Sequence, residues 1–167
     1  KGGVGGVGGQ GIGESGAEDM KVGSGNLDRN SANGQQREEG LRGVLAGDAG
    51  AEIVAAINVL ATTEDAWEGT KQMLLEHPEI NVIATFNEWT SLGVGYAIEE
   101  LALGEETFVV AFDSNVVSVG MLETGEVDAL IVQNPFAMGY LGLDCAYNLI
   151  HGSDTEETAV DTATTVT

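Results

Sequence analysis

Short apolar runs rich in β-branched residues recur along the chain at about 52–60 (EIVAAINVL), 81–86 (NVIATF), 107–112 (TFVVAF) and 128–133 (DALIVQ), with a weaker one near 20–24. Runs of this length and composition predict strands, and their nearly unbroken apolar character predicts burial on both faces. Segments of helical period lie between them. In 88–102 the residues Trp89, Leu92, Tyr96, Ala97 and Leu101 fall on one face, and in 134–151 Phe136, Tyr140, Leu143, Tyr147 and Ile150 do the same. Both stripes are expected to face the core. In 63–76 the residues Ala66, Trp67, Thr70, Met73 and Leu74 fall together, and Thr62 and Asp65 are spaced as a helix-starting capping box. His77-Pro78 should stop that helix, because proline disfavours helical geometry in the residue before it.

Strands alternating with helices at this spacing require βαβ crossovers. The expected fold is therefore α/β, a doubly wound, mainly parallel sheet with helices on both faces. The beginning of the chain differs in character, with 11 of the 25 glycines in the first 25 residues. So much glycine loses backbone entropy on ordering and offers little to bury, so residues 1–19 are expected to form an irregular lead and 20–167 the folded unit. Gly3, Gly5 and Gly8 match the dinucleotide pattern GxGxxG formally. That pattern binds phosphate only between a strand and a helix, and no strand precedes it, so it reads as a product of composition.

The 167 residues carry 27 Asp and Glu against 6 Lys and Arg, a formal charge of −21. Lys71 is the last cation, while 16 acids follow it. Nucleic acids and anionic membrane surfaces, which require cationic side chains, are excluded as partners. Aromatic residues make up only 5%, so the core must be mostly aliphatic. The single cysteine, Cys145, cannot form an internal disulfide and, lying in a half-apolar helical run, is expected to be buried. No window of about 18 apolar residues exists, and the start lacks the succession of a secretion signal.

Ligands of open parallel sheets bind beyond the carboxyl ends of the strands. Asn87 and Glu88 follow NVIATF, Asp113 follows TFVVAF and Gln133 follows ALIV, while Arg37 stands in the helix after the first, weak strand. Asn87 and Asp113 each also suit a helix cap, and Arg37 a surface ion pair. Gln133 is a poor cap. Together the four form a polar set with one cation, suited to a polyhydroxylated small molecule whose hydroxyls donate and accept.

The stretches SGNLDRNSANGQQREEGL, LLEHPEINVIATFNEWTSLGVGYAIEE, FVVAFDSNVVSVGMLETGEVDALIVQNPFAMGY and VDTATTVT resemble sugar-binding proteins of the ribose-binding type. These are type 1 periplasmic binding proteins, a superfamily shared with the ligand domains of lactose-repressor-type regulators. Such proteins have two α/β lobes joined by three hinge strands, and the resemblance covers the carboxyl-terminal lobe over residues 20–167. By motif it places the family's sugar-binding arginine, asparagine, aspartate and glutamine at Arg37, Asn87, Asp113 and Gln133. The sequence departs from the family at Leu41 for phenylalanine, Glu88 for aspartate and Ala111 for glycine. Its first strand also looks short, and the stacking aromatic expected after the second strand is not evident in LATTED. Trp89 or Phe136 could stack on the sugar, although each also fits the apolar face of its helix.

The resemblance implies a sugar receptor of an ATP-driven (ABC-type) importer, outside the cytoplasm, as one lobe that pairs with an amino-terminal lobe or another copy of itself. Its partners would be a neutral sugar and a membrane permease, with no nucleic acid. A ligand-sensing domain of a transcriptional regulator or membrane sensor is the alternative. A carbohydrate-active enzyme would need a catalytic carboxylate pair, such as Glu88 and Asp113, whose separation the sequence does not fix. Nothing in the sequence calls for a metal or a cofactor. His77 and His151 sit at expected helix ends, where capping explains them.

Overall fold

The computed structural model describes residues 19–26, 30–47, 50–60, 62–152 and 163–166. Strand β1 (Met20–Asn26) leads to helix α1 (Ala32–Leu45), then β2 (Ala51–Asn58), α2 (Thr63–Glu76), β3 (Val82–Thr85), α3 (Glu88–Leu101), β4 (Phe108–Phe112), α4 (Val116–Thr124), β5 (Ala129–Gln133), α5 (Pro135–Ile150) and β6 (Ala163–Val166). The strands form one sheet in the order β2-β1-β3-β4-β5-β6. The first five run parallel, and β6 closes the edge antiparallel to β5. The α/β, doubly wound reading is thereby met. The glycine-rich lead and its GxGxxG match, up to residue 18, lie outside the described residues.

Alternation along the strands divides the core into two layers, since successive side chains point to opposite faces. Val82, Ala84 and Phe86, with Val110, Phe112, Ala129 and Ile131, pack against Leu41 and Leu45 of α1. Ile83, Val109, Ala111 and Leu130 face the other way, onto Met73, Leu74, Val94, Ile98 and Met121 of α2, α3 and α4. The weak first strand is in fact a central one. Every residue of β1 but Lys21 is buried, and it carries an irregularity in its register against β2 between Val22 and Gly23.

Two expected apolar faces are corrected. In α3 the buried residues are Thr90, Ser91, Gly93, Val94, Gly95, Ala97 and Ile98, whereas Trp89 and Tyr96 are exposed. Small residues win there because α2 and α3 approach so closely that a Cβ added to Gly93 would lie 2.4 Å from the Ala66 Cβ. In α5 no residue is buried, so Phe136, Tyr140, Leu143, Tyr147 and Ile150 form an outward face. Cys145, on the same helix, is exposed as well, contrary to the expected burial. Helix α2 behaves as read. Thr62 accepts from the Asp65 backbone N–H at 3.1 Å, and the helix ends at Glu76 with His77 as its cap.

Candidate ligand site

The sheet order reverses between β1 and β3, and in open parallel sheets ligands bind beyond the carboxyl ends of the strands at such a reversal. Asn26 closes β1 there. It is buried, and its amide donates to Gly34 O at 3.4 Å and Glu38 Oε2 at 3.3 Å, tying the strand end to α1. Sequence reasoning did not single out Asn26; its position as the final polar residue of the first strand was the available signal.

Arg37 projects from α1 into the same region and is only 7% exposed, so it is not a surface ion-pair residue. Its Nη1 donates to Phe86 O, and its guanidinium carbon lies 4.8 Å from the centre of the Phe112 ring. The arginine is thus fixed to the last residues before Asn87 and Asp113. Burial lowers its pKa from the ordinary arginine value, and the Asp113 carboxylate opposes that shift. Among the described residues, Nε is buried without a partner, so its hydrogen-bonding capacity is unmet there.

Asn87 caps α3, its Oδ1 accepting from the Thr90 N–H at 3.0 Å. The cap reading and the site reading are compatible, because the cap uses the carbonyl oxygen and leaves the amide N–H groups to point elsewhere. Asp113 is no cap. That task falls to Asn115, whose Oδ1 accepts from Val117 N at 2.8 Å and Ser118 N at 2.9 Å in a full capping box. Asn115 was missed in the sequence, although Asn-x-x-Ser before an apolar run is a helix-start signal. Its amide also donates to Glu88 Oε1, holding that carboxylate beside the site.

Asp113 adopts a left-handed backbone with φ 65°, which an aspartate tolerates better than most residues. Its N–H donates to Ile131 O at 3.0 Å, and its Oδ1 accepts from Gln133 Nε2. Backbone strain of this kind at a non-glycine turn residue clusters at functional sites. Beneath these side chains, Ser91 Oγ accepts from Phe112 N at 2.8 Å and lies 2.8 Å from Asn87 O and 2.7 Å from Thr85 Oγ1. A buried hydroxyl therefore clamps the ends of β3 and β4 to α3.

The fold brings Arg37, Asn87, Asp113 and Gln133 to one end of the sheet, on α1 and on the ends of three adjacent strands. Gln133 and Asp113 touch directly. Phe136 and Trp89 stand just beyond, near the starts of α5 and α3, and their exposures of 82% and 44% rule out the core role that their helical spacing suggested. A groove of about 690 Å³ between α2 and α3, lined by Trp67, Tyr96 and three glutamates among others, contains none of these residues. Among the described residues, no cluster of His, Cys, Asp and Glu is placed to hold a metal ion. No helix there is long and apolar enough to cross a membrane.

Residues 3–154 match the family described as periplasmic binding protein domain. The chain belongs to this family. The ribose import binding protein RbsB of Bacillus subtilis (strain 168) is 26% identical over 88 residues, 53% of this chain and 28% of that protein. A carbohydrate transporter solute binding protein from Agrobacterium radiobacter, solved in complex with D-arabinose, superposes with a TM-score of 0.88 at 26% identity, over 98% of this chain and 58% of the other. GanP, a glucose-galactose binding protein from Geobacillus stearothermophilus, shares the fold with a TM-score of 0.92 at 22% identity, over 98% and 58% of the two chains. The chain thus spans under two thirds of each of these periplasmic binding proteins.

Proposed function

We propose that this chain is a sugar-binding lobe of an ABC-importer solute-binding protein acting outside the cytoplasm, with Arg37, Asn87, Asp113 and Gln133 as ligand contacts. The reading rests on one observation above others: three adjacent strands end in Asn87, Asp113 and Gln133, with a buried arginine fixed among them. Among the described residues, the internal bonds leave Asp113 Oδ2 and Gln133 Oε1 as acceptors and the Asn87 amide as a donor. Donors and acceptors side by side suit a hydroxyl, which does both. Trp89 and Phe136 offer exposed rings for stacking on an apolar sugar face. The role is binding rather than chemistry, and Glu88 and Asp113 serve it as fixed acceptors, each held by an amide donor, from Asn115 and Gln133. A second lobe, supplied by the rest of the protein or by another copy, would enclose the ligand and present the closed form to a membrane permease.

Ligand-observed NMR with neutral pentoses and hexoses tests this. A single lobe leaves its ligand partly hydrated, so affinities near millimolar are expected, and Asp113→Asn or Gln133→Ala should abolish the signal. If no neutral monosaccharide gives a signal, or if both variants retain it, the reading fails.

A further inference from the structure

The pairing of β3 with β4 stops short of the groups at their carboxyl ends. Val82 pairs with Phe108, Ile83 with Val109 and Ala84 with Val110, and the register ends there. Asn87 and Asp113 each lie three residues beyond that last pair, so their separation must be held by something other than the ladder. Ser91 supplies one tie, through Asn87 O and Phe112 N. A second runs from the Asn115 amide to Glu88 Oε1, across 27 positions of sequence.

Neither Asn115 nor Glu88 needs the other for its local task. Asn115 Oδ1 caps α4, and the Asn115 N–H donates to Ser118 Oγ at 2.9 Å to complete the box. Serine, threonine or aspartate would cap as well, and none of them carries an amide donor. Glu88 opens α3, where a carboxylate suits the helix N-terminus without any partner. Helix chemistry thus accounts for the two residues separately but not for the bond between them.

Their positions do account for it. Glu88 follows Asn87 directly, and Asn115 stands two residues after Asp113, between the left-handed turn and the first residue of α4. The bond therefore joins the β3–α3 and β4–α4 turns at the points where each carries a proposed ligand contact. We propose that Glu88 and Asn115 are positioning residues, a strap that sets Asn87 and Asp113 at the spacing a ligand requires before it arrives; this rests on the reading of those two side chains as ligand contacts. Groups held in place beforehand lose less freedom on binding, so they bind more tightly. The strap needs one donor and one acceptor, but not a fixed residue for each. Its sense can be reversed.

Amide NMR of the isotope-labelled full chain tests this. The Asp113 backbone N–H and the Asn87 side-chain amide report without ligand, and titration with neutral pentoses and hexoses reports binding. Asn115→Asp keeps the cap and the size but sets a carboxylate against Glu88, so both reporters should move and sugar affinity should fall at least about fivefold. Asn115→Ser, a cap without the amide and without the added charge, should move them as well, which separates the lost bond from unfolding by repulsion. Adding Glu88→Gln to Asn115→Asp restores a bond of opposite sense at the charge of the parent. Both reporters should then return, and affinity should recover to within about twofold of the parent. Adding Glu88→Ala instead removes the repulsion without supplying a donor and should restore neither. The strap is overturned by reporters that stay in place in Asn115→Asp, by equal sugar affinity of that variant and the parent, or by equal recovery with Glu88→Ala and Glu88→Gln. A parent that binds no sugar overturns the ligand reading instead, and the reporters still decide whether the bond sets the spacing.

Discussion

The Arg37 guanidinium carbon lies 4.8 Å from the centre of the Phe112 ring, over the residue that immediately precedes Asp113. The same side chain donates to the carbonyl of Phe86, the residue before Asn87. One cation therefore sets the relative position of two strand ends that carry Asn87 and Asp113, two of the proposed ligand contacts. Arginine suits this because its planar fork can stack and donate at once, which a lysine ammonium does not.

Removing the arginine should cost both stability and binding. Arg37→Ala leaves Phe86 O without its charged donor and opens space beside Phe112, so a loss of about 2–3 kcal/mol is expected in urea unfolding. Arg37→Lys keeps the charge but not the fork, and should fall between the two. Arg37→Met refills the space and should recover part of the stability while leaving sugar binding lost. An Arg37→Ala protein as stable as the parent would show that these contacts contribute nothing.

Asp113 separates backbone strain from side-chain chemistry. At φ 65° alanine is disfavoured and glycine is not. Asp113→Gly and Asp113→Ala both lose the bond from Gln133. They should therefore differ only in the backbone term, with the glycine variant more stable by about 1 kcal/mol. Neither should bind sugar. Equal thermal midpoints for the two variants would refute the left-handed conformation.

Gly93 and Gly95 make a matched pair on α3. A Cβ at Gly93 would lie 2.6 Å from the Trp67 backbone nitrogen, and α2 would have to shift to make room. At Gly95 the obstacle is the Met121 side chain, 2.3 Å away, whose thioether can rotate. Gly93→Ala should thus cost about 2–3 kcal/mol and Gly95→Ala less than half as much, measured by denaturant midpoints.

What the sequence disclosed follows the strength of its local signals. The strands at 52–60, 81–86, 107–112 and 128–133 came through within a residue or two, because β-branched runs buried on both faces leave no competing pattern. The strand-end residues Asn87, Asp113 and Gln133 followed from the same periodicity. Arg37 was placed on the right helix, but its burial depends on Phe86, 49 positions away, and no local pattern encodes that. The face of α3 was misread because side-chain size pointed to Trp89 and Tyr96, while close helix packing selected Gly93 and Gly95 beside the expected Ala97. The α5 stripe misled for a related reason: spacing reveals an apolar face but not what it meets.

Asp128 gives a test at the opposite end of the sheet from Asn87, Asp113 and Gln133. Its Oδ2 accepts from Val109 N at 2.7 Å, and its own N–H donates to Val109 O at 3.0 Å, pinning β5 to β4 at their amino-terminal ends. Burial raises its pKa above the ordinary carboxylate value, and the bond from Val109 only partly opposes this. The native chain therefore holds a proton that the unfolded chain releases earlier. The stability due to this group is complete below the unfolded carboxylate range and is lost as pH rises through the raised native value. Asn in its place can still accept from Val109 through its carbonyl oxygen without carrying a charge. Asp128→Asn should accordingly gain in thermal midpoint relative to the parent as pH rises from the ordinary carboxylate range through the raised native value, the gain then holding constant above it. A difference that is flat across that window would mean that the carboxylate is as well accommodated charged as neutral.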